Sequence, residues 1–325
     1  YVMRSKILNL LKQAGDNFLS GEYLAETLNV SRTAIWKHIK ALRDSGYDIE
    51  SVPRNGYRLL NSPDLLSVEE VKNTLSTKIL GSEIKYFTTT DSTNNQAKKF
   101  AMQGAPDGAI VISEEQYGGK GRLSRSFFCP KYKGIWFSAI LRPDFLPQEA
   151  PKCTLMAAVA VARAIEDVTG VKVGIKWPND VLYEGKKLVG ILTEISAEME
   201  RINYIIIGIG IDVNIEKEDM PEDIRDIVTS LSQITKKQVS RLKLLNKVLY
   251  HLEQLYIMAQ RHDFAPILDE WRRYSITLNQ DIKVISGKDI TYGRAMDIDD
   301  DGALLVEING QIKRVLAGDV SIRPR

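Results

Sequence analysis

"KWPNDVLYEGKKLVG", residues 176–190, decides how the centre of this chain folds. Pro178 has no backbone N–H to give to a sheet, so a strand arriving at Lys176 has to break there. Glu184-Gly185 then suits a tight hairpin turn, which pairs the runs on either side antiparallel. Working outward, 110–113, 135–141, 171–176, 188–195 and 202–213 are rich in Ile and Val and read as strands. "LMAAVAVARAIEDV" (155–168) is apolar on most helical faces and is expected to lie buried against them. The centre therefore reads as a mixed-sheet α/β domain. Ligands of such sheets are met at strand ends, so Asn179 and Asp180 are expected as polar groups at a sheet edge beside Lys176, with Lys187 returning on the hairpin.

Common nucleotide signatures are missing. There is no GxxxxGK[ST], and "GIGIDV" (208–213) lacks the third glycine of a dinucleotide fingerprint. "GGKGRLSR" (118–125) instead places three glycines among Lys120, Arg122 and Arg125. Glycines let the backbone approach an anion closely, and the cations neutralise its charge. The residues alone fit DNA or a small phosphorylated ligand. Each motif also has a plainer reading: a solvated basic loop for the first, a rigid turn around a packed Trp for KWPND.

The first sixty residues read as a winged helix-turn-helix. "RSKILNLLKQA" (4–14) carries an apolar stripe ended by Gly15, Ser20 caps a helix over 21–28, and Ser31 caps a second helix to about residue 45. Ile35, Ile39 and Leu42 face the core of that helix. Ser31, Arg32, Thr33, Trp36, Lys37 and Lys40 are left for DNA, its first turn reaching base edges while lysines take phosphates. "ESVPRNGYRLL" (50–60) folds into a wing with an Asn55-Gly56 turn and Arg54 at its tip. A helical dimer-contact module with solvated lysines is the alternative. In "NSPDLL" (61–66), Pro63 blocks a helix and Ser67 caps a new one, so three domains are expected: 1–62, 66–273 and 276–325.

From about Gln280 short alternating runs separated by Ser-Gly, Asp-Gly and Asn-Gly turns suggest a small β-barrel. "RLKLLNKVLYHLEQLYIMAQ" (241–260) between the lobes is an amphipathic helix that reads as core packing.

Bulk properties set limits. A chain of 325 residues, 44% hydrophobic and 26% charged, builds two or three globular domains. Its net charge is +2, whereas residues 1–62 hold nine Lys/Arg against six Asp/Glu, so any nucleic-acid footprint is local to the head. Cys129 and Cys153 make no disulfide framework, and His38, His251 and His262 are too scattered for zinc. No run approaches a membrane span and no signal-peptide pattern opens the sequence, so no membrane partner and a cytoplasmic location are expected.

In order and approximate spacing, "TTDSTNNQA" (89–97), "GGKGRLSR", "KWPND", "GKKLVGILTE" (185–194) and "IIGIGIDVN" (206–214) resemble the motifs of biotin protein ligases. With the winged-helix head and C-terminal β segment the chain is similar to the bifunctional kind, which also represses biotin operons. The resemblance implies a class II synthetase-like ligase domain followed by an SH3-like barrel, an α/β (α+β) multidomain chain. It implies ATP with Mg²⁺ and biotin as substrates, a biotin carboxyl carrier protein and operator DNA as partners, and a homodimer on ligand binding.

Biotin would be held by Ser92, Thr93, Asn94, Gln116, Gly119, Lys120, Gly121, Arg122, Lys187 and Gly190. The adenylate would be held by Lys120, Arg122, Phe127, Lys176, Asn179, Asp212, Asn214 and Arg323. Lys187, Arg122 and Asp180 would be catalytic, Asp180 also facing magnesium. The family loop usually reads GRGRxGR, so Lys120 and Ser124 are departures, as are Phe127 for Trp and Asp212 for Asn. Two other readings are a non-catalytic, ligand-responsive repressor and a ligase for another carboxylic acid such as lipoate.

Overall fold

The computed structural model describes residues 2–62, 64–317 and 320–324, so the role given to Pro63 lies outside the described residues. The chain forms two compact units, residues 1–75 and 76–325. In the first, α1 (Val2–Ala14), α2 (Gly21–Leu28) and α3 (Arg32–Asp44) close on a core of Ile7, Leu8, Leu11, Leu24, Ile35, Ile39 and Leu42. Both expected caps form: Ser20 Oγ accepts from the Tyr23 N–H and Ser31 Oγ from the Ala34 N–H. β1 (Asp48–Val52) and β2 (Gly56–Asn61) make the wing.

Its turn differs from the expected two-residue Asn-Gly. Val52 pairs with Gly56, so three residues connect the strands and Arg54 takes the left-handed conformation at φ 70°. Gly56 enters β2 at φ 108°, where a Cβ would stand 2.0 Å from the Leu19 carbonyl oxygen. Its freedom is spent on that close approach.

The expected boundary also moves. The sequence grouped residues 66–75 with the central domain, but Ser67 caps α4 (Val68–Thr74) within the first unit. Glu69 and Glu70, both nearly buried, pair with Arg4 at 3.3 Å and Lys12 at 2.8 Å on α1. A carboxylate so desolvated needs a fixed cation, and α1 supplies two.

The second unit is built on a seven-stranded mixed sheet. Its strands are β3 (Ile84–Phe87), β4 (Ile110–Ser113), β5 (Gly134–Leu141), β6 (Gly174–Lys176), β7 (Asp180–Tyr183), β8 (Lys186–Glu198) and β9 (Arg201–Asp212), in the order β3-β4-β5-β9-β8-β7-β6. Only β3 and β4 pair parallel; the expected hairpin at Glu184-Gly185 forms with both residues at positive φ. α5 (Thr93–Met102) and α6 (Ala150–Thr169) take opposite faces. Successive residues of a strand point to opposite sides, and Thr193 bonds Thr154 of α6 while Glu194 receives Lys98 of α5. α7 (Leu231–Thr235), the long α8 (Arg241–Gln260) and α9 (Ala265–Tyr274) follow, with α8 and α9 packed on α6.

The β3, α5, α7 and α9 elements had no sequence assignment, and β7 was implied only as one arm of the Glu184-Gly185 hairpin. β7 is the informative miss. The KWPND turn joins two short antiparallel strands, with Lys176 paired to Asp180, so Asp180 opens β7, one strand in from the edge strand β6.

The C-terminal segment forms a five-stranded antiparallel SH3-like sheet of β10 (Asp281–Ser286), β11 (Asp289–Ile298), β12 (Leu304–Ile308), β13 (Gln311–Val315) and β14 (Val320–Pro324). It grips the KWPND turn: Trp177 N–H donates to Thr277 Oγ1 at 3.0 Å and its indole Nε1–H to the Gly302 carbonyl at 3.1 Å. Trp177 is 2% exposed, so the packed-Trp reading of that turn is also true. Its packing fixes where Asn179 and Asp180 stand.

Candidate functional site

A pocket of about 450 Å³, mouth included, opens on the α5 face of the large sheet. Two segments are drawn together at its rim. Gly118 N–H donates to the Asp91 carbonyl at 2.8 Å and Tyr117 N–H to that of Thr90, so residues 88–94 and 114–118 run side by side. Although partial burial raises the Asp91 pKa, hydrogen bonds from Asn95 and Gln96, both 2.8 Å, hold its carboxyl well below the usual range. A permanent anion thus braces the first turn of α5, where negative charge is stabilised.

Neutral polar groups line one end of the pocket. Gln116 Oε1 accepts from the Thr93 N–H at 2.6 Å, and Asn94 Nδ2 donates to Glu194 Oε2 at 2.8 Å. Ser138 Oγ lies 2.6 Å from Asn94 Oδ1 and 2.8 Å from Thr93 Oγ1. These groups are locked by one another and give this end of the pocket neutral amide and hydroxyl atoms.

The other end is cationic. Lys187 Nζ lies 2.9 Å from Asp180 Oδ1 and 5.3 Å from the centre of the Phe127 ring. Around Asp180 stand Arg122, Lys176 and Arg323 as well, close enough to perturb one another. Burial and the field of Arg323, with Lys187 and Arg125 adding and Asp180 opposing, push Lys176 down to about 8. Burial likewise lowers Arg122, with Asp180 opposing. One carboxylate cannot neutralise so many cations, and the surplus calls for an anion with several charges.

The sequence-named residues divide by position. Ser92, Thr93, Asn94, Gln116, Lys120, Gly121, Phe127, Asn179, Lys187 and Gly190 line the pocket. Gly119 lies against its wall, with no room for a Cβ between the Phe127 carbonyl and Cys129 Sγ. Arg122 donates to the Ala317 carbonyl of the C-terminal sheet, and Arg323 Nη1 to its own neighbour Ile322. Asn214 is turned away: its amide donates to the Val239 carbonyl and accepts from the Val239 N–H, both at 2.9 Å, which uses both ends of the group. Asp212 is 3% exposed beneath the pocket, where burial raises its pKa well above the ordinary value against the opposing pull of Lys187.

In the basic loop Leu123 and Ser124 take φ of 55° and 58°. Glycine would do so freely, and Ser124 does so at a steric cost. Among the described residues no three His, Cys, Asp or Glu side chains come together as a metal site. Asp180, the residue expected to face magnesium, is engaged by Lys187.

Ile191, Leu192, Gly208, Ile209 and Gly210 line the pocket without having been named. The signal was present in "GIGIDV". Glycines two apart on a strand bare one face of it, and a Cβ at Gly208 would stand 2.2 Å from Asn94 Oδ1, one at Gly210 2.7 Å from the Phe127 ring. In sequence the segment reads as a strand, an incomplete dinucleotide fingerprint and part of a family motif, and none of these gives its two glycines a role.

In the first unit, Ser31, Arg32, Thr33, Trp36, Lys37, Lys40 and Arg54 are all exposed. Trp36 is 52% exposed, with Lys40 Nζ 5.7 Å from its ring. Ser31 Oγ accepts its cap hydrogen bond from the Ala34 N–H, and its hydroxyl hydrogen remains available to donate.

Family models match along the chain in the same order: an HTH domain at residues 4–58, the Biotin/lipoate A/B protein ligase family at 86–212 and the Biotin protein ligase C terminal domain at 277–323. The bifunctional ligase/repressor BirA of Bacillus subtilis is 41% identical over 320 residues, covering 98% of each chain. That of Escherichia coli is 31% identical over 322 residues, 98% of this chain and 96% of the relative. Among solved structures, the biotin protein ligase from Aquifex aeolicus in complex with biotin and ATP superposes with a TM-score of 0.65 at 27% identity, covering 75% of this chain and all of that one. A winged helix-turn-helix, a glycine-floored pocket flanked by cations and full-length similarity thus agree, and the chain belongs to the biotin protein ligase family in its bifunctional ligase/repressor form.

Proposed function

We propose that this ligase and repressor works through one pocket with two ends. The carrying observation is the junction of a neutral, amide-lined end with a surplus of cations gathered about Asp180. Biotin's uncharged ureido ring suits the Ser92, Thr93, Asn94 and Gln116 end, and its carboxylate then lies toward Lys187. A carboxylate oxygen attacks the α-phosphorus of ATP, the bond to the pyrophosphate oxygen breaks, and biotinyl-5'-AMP forms. Both reactants are anions, so Lys187 and Arg122 offset their repulsion and stabilise the charge developing at phosphorus. For Arg122 this requires leaving the Ala317 carbonyl, so loop 118–125 closes as the adenylate forms and shields the mixed anhydride from water.

Transfer follows when a neutral lysine amine of the biotin carboxyl carrier protein attacks the acyl carbon and AMP leaves. Asp180 is placed to help take the proton of that amine. Magnesium arriving with the nucleotide would supply further charge neutralisation, and Asp180 is the residue that would face it. The adenylate is also the corepressor: loop ordering favours a homodimer, and two heads read a palindromic operator. No helix among the described residues is long and apolar enough to cross a membrane, and a cytoplasmic site of action fits a carrier protein and DNA as partners.

Biotin-dependent exchange between ATP and labelled pyrophosphate tests the first step, with lipoate as control acid. Exchange with biotin alone is expected. Absence of exchange with either acid would leave a ligand-responsive repressor without chemistry. For the head, Trp36→Ala is expected to weaken operator binding about tenfold or more in gel shifts while exchange stays at the parent rate. Unchanged binding would assign the reading surface elsewhere.

A further inference from the structure

Asn94 enters the pocket from the first turn of α5, is 4% exposed, and has both its amide hydrogens committed. Nδ2 donates to Glu194 Oε2 at 2.8 Å and to the Leu192 carbonyl at 3.3 Å. Oδ1 accepts from the Ser138 hydroxyl at 2.6 Å and lies over Gly208, where a Cβ would stand 2.2 Å from it. Leu192 and Gly208 are partners across β8 and β9, so the amide spans that pair, nitrogen toward one strand and oxygen toward the other. An amide turned end for end has nearly the same shape, so packing does not choose between the two orientations. Ser138 does not choose either, because a hydroxyl can donate or accept. The choice falls to the two groups that only accept, and of these Glu194 carries the charge. Its carboxylate is held from both sides by α5: Oε1 takes the Lys98 ammonium and Oε2 the Asn94 N–H, from residues four apart on one helix face.

We infer that Glu194, steadied by Lys98, is a positioning residue for the acid substrate: it fixes the Asn94 amide so that the pocket is offered an oxygen and no N–H. This rests on the ligase reading of the pocket. So oriented, Asn94 keeps one lone pair for a ligand, which suits the N–H of a cyclic urea. Turned round, it would set its own N–H against that N–H, and both donors would lose a partner. A ring without N–H groups, such as the dithiolane of lipoate, gains nothing from the fixed orientation. Selection of the acid by this chain therefore depends on a carboxylate that stands behind the residue facing the ligand.

Glu194→Gln tests this, because it keeps the volume and removes one of the two acceptors. Lys98 claims the single oxygen that remains, which leaves the new N–H₂ facing Asn94 Nδ2 and drives the Asn94 amide round. Equilibrium titration with biotin is expected to show binding weaker by about tenfold or more, the size of a mismatched buried hydrogen bond. The KM for ATP in pyrophosphate exchange at saturating biotin should stay at the parent value, since the cationic end is untouched. Adding Lys98→Ala frees the Gln oxygen to turn to Asn94, and most of the lost affinity should return. In an Asn94→Ala background, Glu194→Gln should cost nothing further. Parental affinity in Glu194→Gln, no recovery on adding Lys98→Ala, or an equal loss with and without Asn94 overturns the inference. A KM for ATP that worsens in step with biotin binding marks a structural role and overturns it as well. A parent chain that binds no biotin would instead strike the ligase reading.

Discussion

Replacing Lys187 with alanine is expected to lower biotin-dependent pyrophosphate exchange by about 10²–10³-fold, the range found when one donor to a developing anion is removed. Lys187 is the cation that lines the pocket and also touches the acid side of it, 2.9 Å from Asp180. In the attacking complex a carboxylate and a triphosphate have to share that space. Without the ammonium their repulsion is unscreened, and Asp180 adds a third negative charge no longer held by its partner. The loss should fall on kcat more than on the KM for biotin, because the neutral amide-lined end is untouched. Stability should hardly move: the Lys187 side chain is 30% exposed, and an ion pair so placed contributes about 0–1 kcal/mol. Exchange within about tenfold of the parent, with the fold intact, would remove Lys187 from the chemistry and pass its role to Arg122 or Lys176.

How much of this was legible beforehand follows from the range of each interaction. Caps, turns and periodic stripes are local, and so Ser20, Ser31, the hairpin at Glu184-Gly185 and helix α3 stand where the sequence put them. β3 and β7, four residues each, carry too few alternations to register, and they exist because a neighbouring strand completes their hydrogen bonds. The glycine floor was misread because its meaning depends on Asn94 and Phe127, more than eighty residues away in sequence. Asn214 was named from a motif, yet a contact with Val239 consumes it. Pocket residues that lie inside a motif are legible in sequence; those recruited or diverted by tertiary contacts are not.

The most severe structural effect is expected where no motif pointed. Arg241, the first residue of α8, and Glu114, just past β4, are both fully buried, with Nη1 to Oε2 at 2.7 Å. The same Nη1 reaches the Gly134 carbonyl at 3.0 Å, and Tyr86 OH donates to Glu114 Oε1 at 3.0 Å. Arg241→Ala leaves a buried carboxylate without its cation and should destabilise the second unit by about 3–5 kcal/mol. Tryptophan fluorescence can follow that unit: Trp136, Trp177 and Trp271 lie buried within it, and placing the Trp36→Ala change in the background silences the first unit.

A denaturant midpoint within experimental error of the parent would show that the pair is not what holds α8 to the sheet. The double variant Arg241→Met, Glu114→Leu should lose less than Arg241→Ala, because no charge is left uncompensated, and the difference measures the coupling. The pair also bears on the site. Glu114 precedes the pocket-lining Gln116 by two residues, and Gly134, whose carbonyl Arg241 also reaches, is the strand partner of Asp212. A double variant that is stable yet binds biotin and ATP more weakly would separate that positioning role from the stability the pair provides.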